Sequence, residues 1–302
     1  MSPLETSRIA HGAAMETAIA VGDAGRRLLP RPLLAVRHNL LSAVGAAIVL
    51  LLVLAALFPG LFSSADPYEL NGALRFRAPS AAHWFGTDEV GRDLYSRVVY
   101  GARFSLRAAA VVVVLATALG VVLGAMAAYF SRALGELIMR CVDVMISFPP
   151  FIMAMALVAA LGPSLEHAAL ALALIWWPQY ARLVRGQVLS VRQITFVEAA
   201  VATGLGPWRI LFRHILPNCW GPVAVKVTLD VGYVILLLAA LSFIGLGAKP
   251  PTPEWGALIT TGRAYLLDYW WYPTFPGLAI FLAVMGCNLL GDGLRDVLAG
   301  DD

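Results

Sequence analysis

The residue types that most often perform chemistry in proteins are few in this chain and widely spaced. The three cysteines, Cys141, Cys219 and Cys287, form no Cys-x-x-Cys pair, which argues against a zinc site or a disulfide framework. Five histidines stand singly along the chain and form no cluster of metal ligands. These histidines are His11, His38, His83, His167 and His214. We therefore expect neither a catalytic site nor a metal site.

Nucleotide hydrolysis is the next chemistry to consider, because a phosphate-binding loop has a recognisable spacing. Such a loop reads Gly-x-x-x-x-Gly-Lys-Ser/Thr, and its lysine contacts the nucleotide phosphates. The chain contains only two lysines, Lys226 and Lys249, and neither follows this spacing. We therefore expect the chain to bind no ATP or Mg²⁺ itself and not to be an enzyme.

Polar side chains within apolar stretches are a third candidate set, because polar groups at membrane depth are costly and often functional. Five of them are candidates to line a translocation pathway. They are Gln179, Tyr180, Asp230, Tyr233 and Asn288. Asp230 also lies four residues after Lys226, where the two can simply pair on one helix face. For any one of these groups, a hydrogen bond that holds helices together is the simpler interpretation.

The amino-acid composition indicates whether the chain is surrounded by water or by lipid. Hydrophobic residues make up 60% of the 302 and charged residues only 14%, whereas a soluble domain has about 25% charged residues. The net charge of +3 is small and its basic residues are spread out, so nucleic acid is not an expected partner. The sequence predicts an all-α integral membrane protein in contact with lipid.

Six apolar segments approach the ~20 residues that an α-helix needs to cross a bilayer. They are residues 40–62, 105–130, 142–161, 168–183, 222–246 and 272–291. The fourth is the weakest, because polar and bulky residues around Pro178 interrupt it. Phe148-Pro149-Pro150 in the third segment and Pro178 in the fourth should bend their helices, since proline removes a backbone donor.

The distribution of arginine predicts an orientation. Arginines precede the first span and recur in the loop after the fourth, and cytoplasmic segments are enriched in basic residues. Both termini are therefore expected in the cytoplasm. The arginines before the second span are expected to pair with nearby aspartates and glutamates. The predicted organisation is a cytoplasmic tail 1–38, a first transmembrane helix 39–62, an extracytoplasmic segment 63–102 and a five-helix core 103–296.

The loop after the fourth span, residues 195–217, has the most informative pattern. Residues 196–203 suit a short helix in which Ala199 and Ala200 present a surface without bulky side chains beside the charged Glu198. Gly204 should stop this helix and turn the chain. Residues 208–215 repeat apolar residues at helical spacing, and Pro217 should end that second helix. Taken alone, this pattern also fits an interfacial hairpin without a partner.

The spacing Glu198-Ala199-Ala200, three residues, Gly204 and then Leu216-Pro217 resembles the EAA loop of ABC importer permeases. In that family the loop docks into a groove on a separate ATPase subunit. The sequence departs from the family pattern at His214, where isoleucine is usual. Residues 83–88, 242–247, 250–256 and 291–296 resemble C-type permeases of peptide and nickel importers, with the closest likeness to dipeptide and glutathione importers.

This resemblance implies a type I ABC importer transmembrane fold with six helices, located in the bacterial inner membrane. It implies a permease subunit that forms half of the translocation pathway for short peptides (dipeptide, oligopeptide or glutathione) and works by alternating access. The implied partners are a homologous second permease, two ATP-binding cassette subunits that hold ATP and Mg²⁺, and an extracytoplasmic substrate-binding protein.

Three alternatives remain at this point. A permease for nickel or a nickel chelate would share the architecture, but the scattered histidines do not support a metal path. An intramembrane hydrolase would need a nucleophile such as Ser147 beside a histidine, and no histidine lies in the middle of a span. A membrane scaffold without transport activity would leave the loop 195–217 unexplained.

Overall fold

The computed structural model describes residues 40–299, and the predicted tail 1–38 lies outside the described residues. The described chain is almost entirely helical. We number its α-helices α1 Leu40–Leu57, α2 Pro59–Phe62, α3 Leu94–Tyr129, α4 Arg132–Ser147, α5 Pro150–Leu161, α6 Leu165–Val191, α7 Thr195–Ala202, α8 Pro207–Ile210, α9 Trp220–Phe243, α10 Trp255–Gly262 and α11 Trp271–Ala299.

Four helical stretches are long and apolar enough to cross a membrane, and they are α1, α3, Pro207–Phe243 and Trp271–Leu298. Helices α4 and α5 make a fifth if they are taken together as one bent span. Helix α6 contains 27 residues but falls outside this count. Its apolar sequence is interrupted by Gln179, Arg182 and Arg185. Length and composition therefore identify four or five spans in the described chain, not the six predicted.

The third predicted span, 142–161, is not one continuous helix. The bend predicted at Phe148-Pro149-Pro150 is present, and it divides the segment into α4 and α5 at an angle of 90°. Phe148 is extended, with φ −94° and ψ 142°, because the ring of a following proline disfavours helical backbone. Pro150 then occupies the first turn of α5, where its missing N–H has no partner to lose.

Two other boundaries differ from the predicted spans. Helix α1 ends at Leu57, and the short α2 follows Phe58, because Pro59 favours a new helix start over continuation. Helix α3 begins at Leu94, eleven residues before the predicted start at Ser105. Asp93 caps it by accepting the Ser96 N–H at 2.7 Å. With 36 residues, α3 is about 54 Å long and extends beyond the ~30 Å hydrocarbon layer.

Helices α3 and α6 form the most extensive helix contact of the described chain. A Cβ atom on Gly120 would lie 2.3 Å from Cβ of Tyr180, and one on Gly124 would lie 2.4 Å from the Ala181 carbonyl oxygen. Gly120 and Gly124, four residues apart on α3, therefore form a small-residue face at a close helix contact. Because the partners of Gly120 and Gly124 follow in the same order along α6, the two helices run in parallel.

Residues 63–93 lie at the end of the bundle where α3 begins, and buried charges hold them there. Asp88 is fully buried and accepts from Arg92 Nε at 2.6 Å, while Arg97 Nε lies 3.5 Å from the same carboxylate. Arg97 also donates to the carbonyl oxygen of Pro251, in the loop between α9 and α10, at 3.3 Å. Pairing with nearby carboxylates is confirmed for Arg92 and Arg97, whereas Arg75 and Arg103 bond backbone carbonyl oxygens instead. The contacts of Arg97 join the segment to α3 and to the loop between α9 and α10.

Candidate coupling loop and polar cavity

Helix α7 carries the first half of the candidate coupling loop and ends in a tight hydrogen-bonded turn. The Gly204 N–H donates to the Val201 carbonyl at 2.9 Å, and the Leu205 N–H donates to the Ala200 carbonyl at 3.4 Å. These two bonds define a Schellman motif, which requires a residue of positive φ at Gly204. Its φ is +80°, and a Cβ there would meet no atom within 4 Å. Backbone conformation, not close packing within this chain, therefore requires glycine here.

One face of α7 packs on the bundle and the other is exposed. Val197 and Ala200 are buried against the core, as expected for residues three apart on a helix. Glu198 and Ala199 are exposed. The prediction that Ala200 shares an exposed small-residue surface is therefore wrong, because its position follows Val197 on the inner face.

The second half of the loop leads directly into a transmembrane helix. The chain is helical from Pro207 through Phe243, with a π turn at Leu211–Ile215 and a 3₁₀ turn at Leu216–Cys219. The prediction that Pro217 ends this helix is wrong. The change in winding accommodates the missing N–H of Pro217, and the Asn218 side chain donates to the His214 carbonyl at 2.7 Å.

Aromatic and cationic contacts fix the loop to the end of α3. The Trp208 ring lies 4.6 Å from the Phe130 ring, and the Arg192 guanidinium lies 5.5 Å from the Tyr129 ring centroid. Between α7 and this end of α3 is a groove of about 360 Å³. It is lined by Tyr129, Arg192, Val197, Glu198, Val201 and Ala202. A displacement of α7 would thus be transmitted to α3 as well as to α9.

An open depression of about 450 Å³, which we call the polar cavity for its polar side chains, lies between α5, α6, α9 and α11. Four of the five candidate pathway residues line it. The full lining is Pro150, Trp176, Gln179, Leu229, Asp230, Tyr233 and Asn288. The fifth candidate, Tyr180, is fully buried beside the cavity and does not line it.

Asp230 is the charged residue of the cavity lining, and Lys226 lies beside it, behind the lining. Lys226 Nζ donates to Asp230 Oδ1 and to Gln179 Oε1, each at 3.1 Å. It also lies 5.2 Å from the Tyr180 ring centroid, as in a cation–π contact. Trp176 Nε1 donates to Asp230 Oδ2 at 2.9 Å. The predicted pairing of Lys226 with Asp230 is confirmed.

Residues 120–300 match the family described as the inner membrane component of binding-protein-dependent transport systems. The chain belongs to this family. Because the matched region includes α6, α7, α9 and α11, it contains both the loop and the cavity of this permease.

Similar proteins of assigned function cover most of the permease. It is 48% identical to a probable D,D-dipeptide transport system permease protein of Escherichia coli K12, over 85% of this chain and 87% of that protein. It is 45% identical to a dipeptide transport system permease protein of Alkalihalophilus pseudofirmus, over 87% and 86% respectively. A glutathione transport system permease protein of Pectobacterium atrosepticum is 40% identical, over 85% and 86%.

A solved structure shares the fold of the permease. A chain of the inward-facing MetNI methionine ABC transporter aligns with a TM-score of 0.55 at 19% identity, over 67% of this chain and 95% of that one. The permease therefore has the type I ABC importer transmembrane fold.

Two parts of the polar cavity were not predicted from the sequence of the permease. Trp176 is one of the bulky residues that interrupt the fourth apolar segment, yet its indole N–H donates to Asp230. Its spacing of three residues from Gln179 is a signal that places it on the same helix face. Helical spacing predicts only the pairing of Lys226 with Asp230, whereas Lys226 also donates to Gln179 on another helix. In the described part of the permease, no group of three His, Cys, Asp or Glu side chains could hold a metal ion.

Proposed function

We propose that the chain is one of two homologous permease subunits of an ATP-driven importer for short peptides. Relatives that are 40–48% identical over most of the chain are permeases for dipeptides or glutathione, and they support this substrate class. The proposed assembly contains a second permease, two ATP-binding cassette subunits that bind ATP and Mg²⁺, and an extracytoplasmic binding protein. This chain makes and breaks no covalent bond in the transport cycle.

Coupling to ATP is assigned to residues 195–217, which include Glu198, Ala199, Gly204 and Pro217. The observation that carries this proposal is the continuous path from the exposed end of α7 to the transmembrane helices. The path runs through the Schellman turn at Gly204, the aromatic contact of Trp208 with Phe130 and the unbroken helix Pro207–Phe243. A rigid path of this kind passes a movement of the ATPases to α3 and α9, which then open the pathway alternately to each side.

The proposed pathway passes the polar cavity lined by Gln179, Asp230, Tyr233 and Asn288, with Tyr180 behind its wall. The half-exposed Tyr233 on α9 leaves that helix face available to a second permease subunit or to substrate. The coupling loop is proposed to be cytoplasmic, residues 63–93 extracytoplasmic, and both termini cytoplasmic. In this arrangement six crossings are made, with α4 and α5 as one bent crossing and α6 as another.

Two substitutions in the coupling loop test this function: a charge reversal at Glu198 and the introduction of a charged side chain at Gly204. We expect Glu198→Lys and Gly204→Asp to abolish peptide uptake, and stimulation of ATPase activity by loaded binding protein, in liposomes that contain the complete importer. Insertion and assembly should persist, because Glu198 is exposed and Gly204 has free space around it. Uptake of a radiolabelled dipeptide and phosphate release measure the two effects.

The matched control is Glu166→Lys, which makes the same charge change at the exposed start of α6, far along the chain from the coupling loop. It should leave uptake within about twofold of wild type, as is usual for surface substitutions. Normal transport by both loop variants, in complexes of normal composition, would show that residues 195–217 do not transmit the ATPase movement.

A further inference from the structure

Neighbouring side chains hold the charged pair Lys226 and Asp230 in place beside the polar cavity. Asp230 is 7% exposed, and its carboxylate accepts from Trp176 and Lys226. Lys226 is bonded to Gln179 and covered by the Tyr180 ring. Asp230 lines the cavity of about 450 Å³, and the Lys226 ammonium group lies directly behind this lining, 3.1 Å from the lining residues Asp230 and Gln179. A charged pair supported in this way is pre-organised, yet it stays within reach of a molecule in the cavity.

The cavity lining also offers polar groups on α9 and α11 that the chain itself does not use. Tyr233 is 50% exposed and Asn288 is also exposed. Within residues 40–299, neither the Tyr233 hydroxyl nor the Asn288 amide has a hydrogen-bond partner. These groups can bond a polar ligand that spans the cavity from the charged pair.

The electrostatics of the pair determine which ligand it can accept. At membrane depth an unpaired charge is costly, so Lys226 and Asp230 neutralise each other when the cavity is empty. A ligand with a single charge would take one partner and leave the other unpaired. A ligand with one ammonium and one carboxylate group can pair with both residues at once and leave no charge unpaired.

The spacing of the pair can adapt to a short peptide. Lys226 Nζ lies 3.1 Å from Asp230 Oδ1 in the empty cavity, but Asp230 is the fourth residue after Lys226, which places their backbones about 6 Å apart along α9. Two extended residues span at most about 7 Å, so the terminal charges of a dipeptide have a similar separation. Lysine has a flexible four-carbon side chain, and its ammonium group can leave Asp230 to meet a carboxylate.

We propose that Lys226 and Asp230 form a binding site for the two charged ends of a short zwitterionic peptide. Lys226 receives the terminal carboxylate and Asp230 the terminal ammonium group. Trp176 and Gln179 act as positioning residues that hold the pair in the empty cavity, while Tyr233 and Asn288 bond the peptide backbone. This site deepens the proposed transport function and rests on it, because it gives the permease its own preference for peptides with free ends.

The test is a displacement experiment on the complex of both permeases and both ATPases in detergent, without the binding protein. Retention of radiolabelled alanyl-alanine is measured against three competitors: unlabelled alanyl-alanine, its C-terminal amide and its N-acetyl form. In the wild type, both blocked peptides should compete at least roughly tenfold less well, which corresponds to the loss of about one charged interaction. In Lys226→Met, the C-terminal amide should compete as well as unlabelled alanyl-alanine, while the N-acetyl peptide should still compete less well. In Asp230→Asn, the N-acetyl peptide should compete as well as alanyl-alanine, while the amide should still compete less well.

Two control variants test whether the effects are specific to the cavity. Lys249→Met and Asp268→Asn change the same residue types at exposed positions outside the cavity, and both should behave as wild type. A purely structural pair would weaken all three competitors equally in each variant. Equal weakening of this kind would overturn the proposal. Equal competition by the three peptides in the wild type would also overturn it, and so would the absence of any retention of labelled alanyl-alanine by the complex.

Uptake by liposomes that contain the binding protein and ATP separates this proposal from the proposed function. If wild-type vesicles accumulate alanyl-alanine but the competition pattern is absent, the site fails and the transport function stands. If no dipeptide or longer peptide is taken up by vesicles whose ATPases are active, the proposed function itself fails.

Discussion

At the scale of single residues, two glycines in the coupling loop look alike in sequence but differ in what they contribute. Gly204 and Gly206 both have free space where a Cβ would be placed. Gly204 has a φ of +80°, whereas Gly206 has an ordinary φ of −65°. The sequence predicted that Gly204 ends α7, but only the backbone geometry distinguishes a conformational need from a packing need.

This difference predicts unequal effects of the same substitution. Gly204→Val should cost about 1–2 kcal/mol, because an L-residue is disfavoured in the left-handed region. Amide hydrogens of Thr195–Ala202 should then exchange roughly 5- to 30-fold faster. Gly206→Val is the control and should leave their exchange unchanged. Equal exchange rates in the two variants would show that the Schellman turn does not stabilise α7.

Glu254 is a second residue whose environment decides its chemistry. It is 1% exposed in the loop before α10, where its carboxylate caps that helix by accepting the N–H groups of Gly256 and Ala257 at 2.9 and 2.8 Å. Burial raises the pKa of Glu254 above its ordinary value, and the two backbone hydrogen bonds oppose part of this rise.

The raised pKa predicts a pH dependence with a definite sign. Between the unfolded pKa of about 4.3 and the higher folded pKa, the folded protein binds the proton more tightly than the unfolded chain. The free energy of unfolding therefore falls as pH rises through this window. Glu254→Gln removes the titration, so the variant should gain stability relative to wild type as pH rises from about 4 to 8.

The measurement is the thermal unfolding midpoint of the subunit in detergent, with the exposed Glu69→Gln as a control that should show no such trend. A trend of the opposite sign would mean that the two N–H donors outweigh burial and that folded Glu254 is more acidic than in the unfolded chain.

At the scale of helices, the fold depends on a few close approaches. Gly120 and Gly124 bring α3 against α6 with no room for a side chain. We expect Gly120→Val or Gly124→Val to destabilise the subunit by about 1–3 kcal/mol or more, because the obstructing atoms include backbone carbonyl oxygens that cannot rotate away. Gly186→Val on α6 is the control, since a Cβ there meets nothing within 4 Å.

The unfolding midpoint in detergent measures this effect too. Only the two α3 variants should show a clear decrease. If Gly124→Val unfolds at the same temperature as Gly186→Val, the close contact of α3 with α6 contributes nothing to stability.

The helix boundaries and contacts show which features of the fold the sequence predicts. The extent of α9 is close to the predicted span, because it is a long apolar run. Helix α11 starts where predicted but continues to Ala299, past the predicted end at Gly291, through the charged stretch around Arg295. The division between α4 and α5 follows from Phe148-Pro149-Pro150, which predicted a bend but not its 90° angle, since packing around a break fixes the angle. The pairing of Lys226 with Asp230 follows from helical spacing, whereas the bond from Trp176 joins two helices that no local pattern relates.

At the scale of the whole molecule, contacts divide the described bundle into two ends. Phe76 stacks on Tyr269 at 4.1 Å, and Arg97 bonds Pro251, so three segments meet at one end. The coupling loop meets the other end, where Trp208 contacts Phe130. Because α6 runs parallel to α3, the pair α4 and α5 has to return the chain to the end where α3 begins. This geometry supports six crossings although composition identifies fewer.

A labelling scan in intact cells tests this arrangement. Single cysteines are introduced at the exposed positions Ser80, Glu166, Asp268 and Gln193, after the exposed Cys141 is replaced by serine. A membrane-impermeant maleimide should label the first three from outside and Gln193→Cys only after the cells are opened. Glu166 and Gln193 flank α6, so opposite accessibility of these two positions shows that α6 crosses the membrane. Labelling of both from the same side would remove α6 as a crossing and place the coupling loop on the side of Glu166.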